Sequence, residues 1–199
     1  MSAHPHLVRQ AALQAEAATV LTGLDLATLV AGIGPLVPAG SVVSGLMCWR
    51  DLDLMLHVGA DFRPVDVLDL MRRIVERPGV VGLQYSDERG PRAPTDQRRD
   101  ERYHVPITVL HAGETWRIDL TLWLHDPHLN IPAWHEDLSR RITGEQRLAV
   151  LRIKDVWHRH PAYPDEIGGV DIYTAVLDHG VSRPDEFGAW LAERGRAPR

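Results

Sequence analysis

Cysteine is almost absent from this chain: Cys48 is the only one in 199 residues. That excludes an intramolecular disulfide and any structural zinc site built mainly on thiolates, and it suits a reducing cytoplasm. Lysine is equally scarce, with Lys154 alone among 22 basic residues, and this arginine bias with abundant Ala, Gly and Val is that of a GC-rich bacterial genome. No apolar run approaches the length needed to cross a bilayer. The first residues also lack the uninterrupted apolar stretch of a signal peptide, because His4, His6, Arg9, Gln10 and Glu16 break it. A soluble, unexported protein is expected. An excess of positive charge is missing too: the formal net charge is -5 and the pI about 6.1. No bulk field is therefore available to hold long nucleic acid.

What is present is enough apolar material, 44% of the residues, to bury a core in one domain or one domain with a small appended lobe. Leu7, Ala11, Leu13, Ala17, Ala18 and Leu21 recur at helical spacing, with Gly23 as the expected cap. A short helix over residues 25–31 leads into the run Leu36 to Ala39, and Leu52 to Val58 alternates as a strand does. Pro64 opens a helix that runs to about Arg77, and Val80 to Tyr85 is the next strand. Residues 87–102 are nearly all charge, Pro and Gly and read as a mobile surface loop, whose arginines either meet a phosphate or are simply solvated. Tyr103 to His111 and Glu114 to Leu124 form a hairpin around Ala112-Gly113. Beyond Pro127 the pattern turns helical: Thr143 with Gln146 is a capping box, a helix over residues 171–179 ends at Gly180, and a last one opens near Ser182. The reading is an α/β (α+β) protein with a small, mixed, mainly antiparallel sheet flanked by helices. Residues 1–130 form the domain carrying the sheet and residues 131–199 a C-terminal helical lobe.

Three acids stand out against this layout. Asp51 and Asp53 are two apart on one strand and therefore project to the same face, about 6.6 Å apart along the chain. Two carboxylates so close repel unless a cation lies between them, and a hard divalent ion keeps both ionised. Asp119 lies within the apolar strand Trp116 to Leu122 and needs either a cation or a polar partner, for which Arg117, on the same face, is the one local choice. If the two strands are neighbours, three acids converge, enough for two metal ions and a phosphoryl-centre substitution. Gly40-Ser41 supplies the complement, a backbone that approaches phosphate oxygens closely and a hydroxyl that donates to them.

The Gly40-Ser41 pair, the spaced Asp51 and Asp53 and the later strand acid Asp119 together resemble the DNA polymerase beta-like nucleotidyltransferase superfamily. The resemblance covers residues 36–124 by motif. It implies a nucleotidyltransferase fold, with Asp51 and Asp53 binding two Mg2+ or Mn2+ ions and Asp119 binding the catalytic one and helping to deprotonate the acceptor. It also implies that Gly40 and Ser41 hold a nucleoside triphosphate, with Lys154 as the basic residue that the helical lobe offers to it. Nucleoside monophosphate would pass to an acceptor hydroxyl or phosphate with release of pyrophosphate. A small-molecule acceptor suits the acidic net charge better than a polyanion does. The alternative is a degenerate fold of this kind that binds nucleotide or a partner protein without catalysis. Two features depart from the family pattern: Arg50 stands where a serine is common, and the connection from Gly-Ser to Asp51 is about a residue short.

Other motifs fail. His135-Glu136 lacks the second histidine of a zinc protease, Gly32 and Gly34 are followed by Pro35, and no glycine loop precedes Lys154. Ser44 lacks the glycine of a nucleophile elbow. Cys48 in an apolar run, His158 and His160 at a helix end, and Tyr163 and Tyr173 read as packing, cap or surface residues.

Overall fold

The computed structural model describes residues 4–164 and 166–196. Helix α1 (Pro5–Leu24) opens with proline in its first turn and buries Leu13, Ala17, Val20 and Leu24, spaced four, three and four apart on one face. It ends one residue past the expected glycine: Asp25 adopts the left-handed conformation (φ 48°) and its N–H bonds to the Leu21 carbonyl. A short polar side chain tolerates that region better than most, so Gly23 stays helical. After α2 (Leu26–Val30) come β1 (Leu36–Ala39), the one-turn helix α3 (Gly40–Ser44) and β2 (Asp51–His57). Helix α4 (Pro64–Val75) leads to β3 (Val80–Leu83) and β4 (Ser86–Glu88). The long strands β5 (Arg102–His111) and β6 (Glu114–Trp123) follow. Helices α5 (Asn130–Arg141), α6 (Gly144–Trp157), α7 (Gly169–His179) and α8 (Pro184–Glu193) complete the chain.

The strands form one sheet in the order β1-β2-β6-β5-β3, with β4 also on β5. Only β2 and β6 run parallel; the other pairings are antiparallel. The β5–β6 hairpin closes through Ala112 and Gly113, both at positive φ (50° and 82°), the two-residue turn whose twist matches that of the strands.

Strand alternation sorts the side chains. Leu52, Leu54 and Leu56, Ile118, Leu120 and Leu122, and Tyr103, Val105 and Ile107 face one way and pack under α1, α2 and α4. Asp51, Asp53, Asp119 and His104 fall on the opposite face, where Trp123, Met55 and Ala39 pack together with Ile131 of α5. A second apolar cluster joins α5 to α8 and takes in Leu46 and Cys48 from the segment before β2. The capping box of α6 is complete: Gln146 N–H donates to the Thr143 hydroxyl and Thr143 N–H to the Gln146 amide oxygen.

Residues 87–102 differ from a structureless loop. Ser86–Glu88 pair with β5, two 3₁₀ turns follow, and ion pairs tie the segment together: Asp87 with Arg89 and Arg92, and Glu88 with Arg102. A charged sequence looked solvated because its partners are one another.

Candidate active site

The sheet register brings the acids together. Asp53 lies level with Asp119 on the adjacent parallel strand, and Asp51 level with Arg117, at the ~4.8 Å spacing of neighbouring strands. On its other side Asp53 is level with Ala39, the last residue of β1, so that Gly40 follows directly against the Asp53 side chain. Gly40 has φ +66°, and a Cβ there would run into Asp53 Oδ2 and lie 2.8 Å from its Cγ. Glycine is required at this joint by both backbone and space.

Gly40, Ser41, Asp51, Asp53, Asp119 and Lys154 all line one cleft of about 360 Å³ between the open sheet face and the helical lobe. Arg147 of α6 ties the two sides together, donating to the carbonyls of Ser44 (3.1 Å) and Gly45 (2.6 Å) at the end of α3.

Asp51 and Asp53 face each other's charge and that of Asp119, with Arg117 and Lys154 acting on both in the opposite sense. Burial, and then the neighbouring carboxylates Asp53 and Asp119, push the Asp51 carboxyl up to about 7. Burial followed by Asp119 raises that of Asp53. Asp119 behaves differently. Burial acts upward on it, but His104 and Arg117 together hold it below the ordinary carboxylate value. Its Oδ1 accepts from Arg117 Nε at 3.1 Å and lies 3.3 Å from His104 Nε2. Both sequence readings of Asp119 thus coexist: it pairs with Arg117 and it lines the cleft.

A half-buried carboxylate pair whose members repel each other, with a third acid beside it, is a donor set for a hard, oxygen-seeking divalent cation, so these residues fit Mg2+ or Mn2+. Among the described residues no three His, Cys, Asp or Glu side chains form a closed ion cage as they stand.

Lys154 is on the cleft but not extended into it. Its side chain is 2% exposed, Nζ donates to the Leu46 carbonyl at 3.0 Å and lies 4.9 Å from the centre of the Trp49 ring. Burial opposes its charge, and the groups facing it, Tyr173, Cys48 and Tyr163, outweigh that, leaving its pKa above the ordinary lysine value. Arg50, in the place of the expected serine, turns away to Glu16 (2.9 Å) and Glu114 (3.3 Å). Cys48 is packed, its thiol pushed up to about 12 by burial.

Several cleft residues were passed over in the sequence or set aside there as packing, cap or surface residues. Trp49 stacks on His158 (4.7 Å, 7°) and meets Tyr163 edge-on (5.3 Å, 88°). His158 Nδ1 donates to the Lys154 carbonyl at 2.7 Å, and burial lowers its pKa. His135 reaches the same cleft from α5, held neutral by burial and then by Lys154, which lower its pKa to about 4. The aromatic residues flanking Asp51 were a legible hint only for Trp49; the histidines arrive from distant helices.

No protein-family model matches the sequence, and no curated protein does. Among solved structures the chain is similar to a cytoplasmic RNA terminal U-transferase, with a TM-score of 0.53 and 17% identity over 82% of this chain and 45% of that one. It therefore spans less than half the length of that protein. A weaker likeness, TM-score 0.49 and 14% identity over 94% of this chain and 67% of the other, is to CdnC of E. coli MS115-1 with ATP. At these identities the likeness is one of fold: the chain shares the mixed α/β nucleotidyltransferase fold of the U-transferase.

Proposed function

We propose that this chain is a metal-dependent nucleotidyltransferase that moves a nucleoside monophosphate from a nucleoside triphosphate to an acceptor hydroxyl or phosphate and releases pyrophosphate. The observation that carries the reading is the convergence on one cleft of Gly40, Ser41, Asp51, Asp53, Asp119 and Lys154, residues up to 114 positions apart in sequence.

In this reading Asp51 and Asp53 would hold the divalent cations, with Asp119 as a further ligand. When bound, the ions supply Lewis acidity to the attacking oxygen and to the leaving pyrophosphate. Gly40 and Ser41 bind the triphosphate through backbone amides and the hydroxyl, and the buried charge of Lys154 attracts it from the lobe side. The acceptor oxygen forms its bond to the α-phosphorus as the bond to the β-phosphate oxygen breaks; the acceptor's proton passes to Asp119. A small-molecule acceptor is favoured, since the net charge of -5 repels a long polyanion.

Asp51→Ala, Asp53→Ala and Asp119→Ala should each lower Mg2+-dependent pyrophosphate release about 10²–10³-fold, with melting temperatures no lower than that of the wild type for the first two and modestly lower for Asp119→Ala, which loses its contacts with Arg117 and His104. Retained turnover in any one of them would break the mechanism. The occupied state of Asp119 and Lys154, each already bonded within the protein, favours one second reading, a fold that binds nucleotide without catalysis. Triphosphate binding with no Mg2+-dependent pyrophosphate release would select it.

A further inference from the structure

Residues 87–102 are the most charged part of the chain, and the proposed reaction makes no use of them. Arg89, Arg92, Arg99 and Arg102 are paired with neighbouring acids. One side chain of the segment does reach toward the cleft. Glu88, the last residue of β4, lies level with Arg102 on β5 and pairs with it, and its Oε1 is 3.8 Å from His104 Nδ1. His104 Nε2 is in turn 3.3 Å from Asp119 Oδ1. The imidazole therefore lies between two carboxylates on different strands, within 3.3 Å of Asp119 on one nitrogen and 3.8 Å of Glu88 on the other. All three side chains are about one-fifth exposed, so the arrangement is shielded without being sealed.

Taking Asp119 as a cation ligand, and so resting on the function proposed above, we infer that His104 is a positioning residue for Asp119 and that Glu88 fixes His104. A carboxylate on a strand rotates about its side-chain bonds. Contacts on Oδ1 from His104 and from Arg117 restrict that freedom in a residue that lines the cleft. Outer partners of this kind orient a ligand before the ion arrives, and their loss commonly weakens metal affinity ten- to a hundredfold. The ion pairs of residues 87–102 then have a purpose, because they hold β4 and with it Glu88 against β5. No sequence pattern points to this, since Glu88, His104 and Asp119 are 16 and 15 residues apart and meet through strand pairing.

Titrating Mn2+ alone into the whole protein tests the inference independently of turnover. His104→Ala should weaken Mn2+ binding about tenfold or more. His104→Gln, whose amide nitrogen replaces Nε2, should recover most of it, and Glu88→Gln should give a smaller loss. Melting temperatures should stay near that of the wild type in all three. Wild-type affinity in His104→Ala, or no recovery in His104→Gln, would overturn the positioning role. Asp119→Ala binding Mn2+ as the wild type does would instead remove Asp119 from the ligand set, which is a failure of the proposed function and separable from the first.

Discussion

Asp51 shows what the cleft demands of a single residue. Half-buried beside Asp53 and Asp119, it keeps its proton up to about pH 7, whereas an unfolded chain releases it near 3.8. The folded state thus binds more protons than the unfolded one between those values. The stability this contributes is fully present below pH 3.8 and is lost as pH rises through 7. Asp51→Asn removes the repulsion without changing shape. In the absence of divalent ions it should melt above the wild type, with a gain that grows from pH 5 to 8. A gain that shrinks as pH rises would contradict the assigned environment. The acid pair was legible from sequence because strand alternation alone puts residues two apart on one face. The neighbours of Asp119 were legible in half: Arg117 lies two positions away, but His104 is supplied by another strand. The same holds for Lys154, whose lone status drew attention while its bond to the Leu46 carbonyl did not.

At the scale of the element, the joint between β1 and α3 is the tightest requirement. The chain turns at Gly40 with φ +66° while passing against the Asp53 carboxylate. Gly40→Ala forces both a left-handed backbone and a collision with that side chain. It should cost about 1–3 kcal/mol of stability and weaken triphosphate binding, read as a lower melting temperature together with a higher Kd. Wild-type values for both would show that the joint is not constrained as described. Most elements were readable from periodicity and turn chemistry: the Ala112-Gly113 hairpin and the Thr143-Gln146 cap both appear where their residues indicate. Strand β4 was not, because three polar residues within a charged stretch carry no alternation to detect, and pairing with β5 is what makes them a strand.

Across the whole molecule, two apolar cores meet beside the cleft. One lies under the sheet, and the other fills the helical lobe but borrows Leu46 and Cys48 from the residues that lead into β2. The segment carrying Asp51 is therefore packed on both sides, and Arg147 of α6 clasps the end of α3. The general architecture could be read from the order of strands and helices. The parallel pairing of β2 with β6 could not, since it joins strands more than 60 residues apart and is fixed by burial of their shared apolar face. That pairing turns three separate acids into one site. The direct test is calorimetric titration of each of the four nucleoside triphosphates, with Mg2+ and with chelator, into wild-type protein and the Asp51→Ala/Asp53→Ala double variant. Binding that requires Mg2+ in the wild type and is lost in the double variant is the predicted result; no binding of any triphosphate, or equal binding by both proteins, would contradict the account.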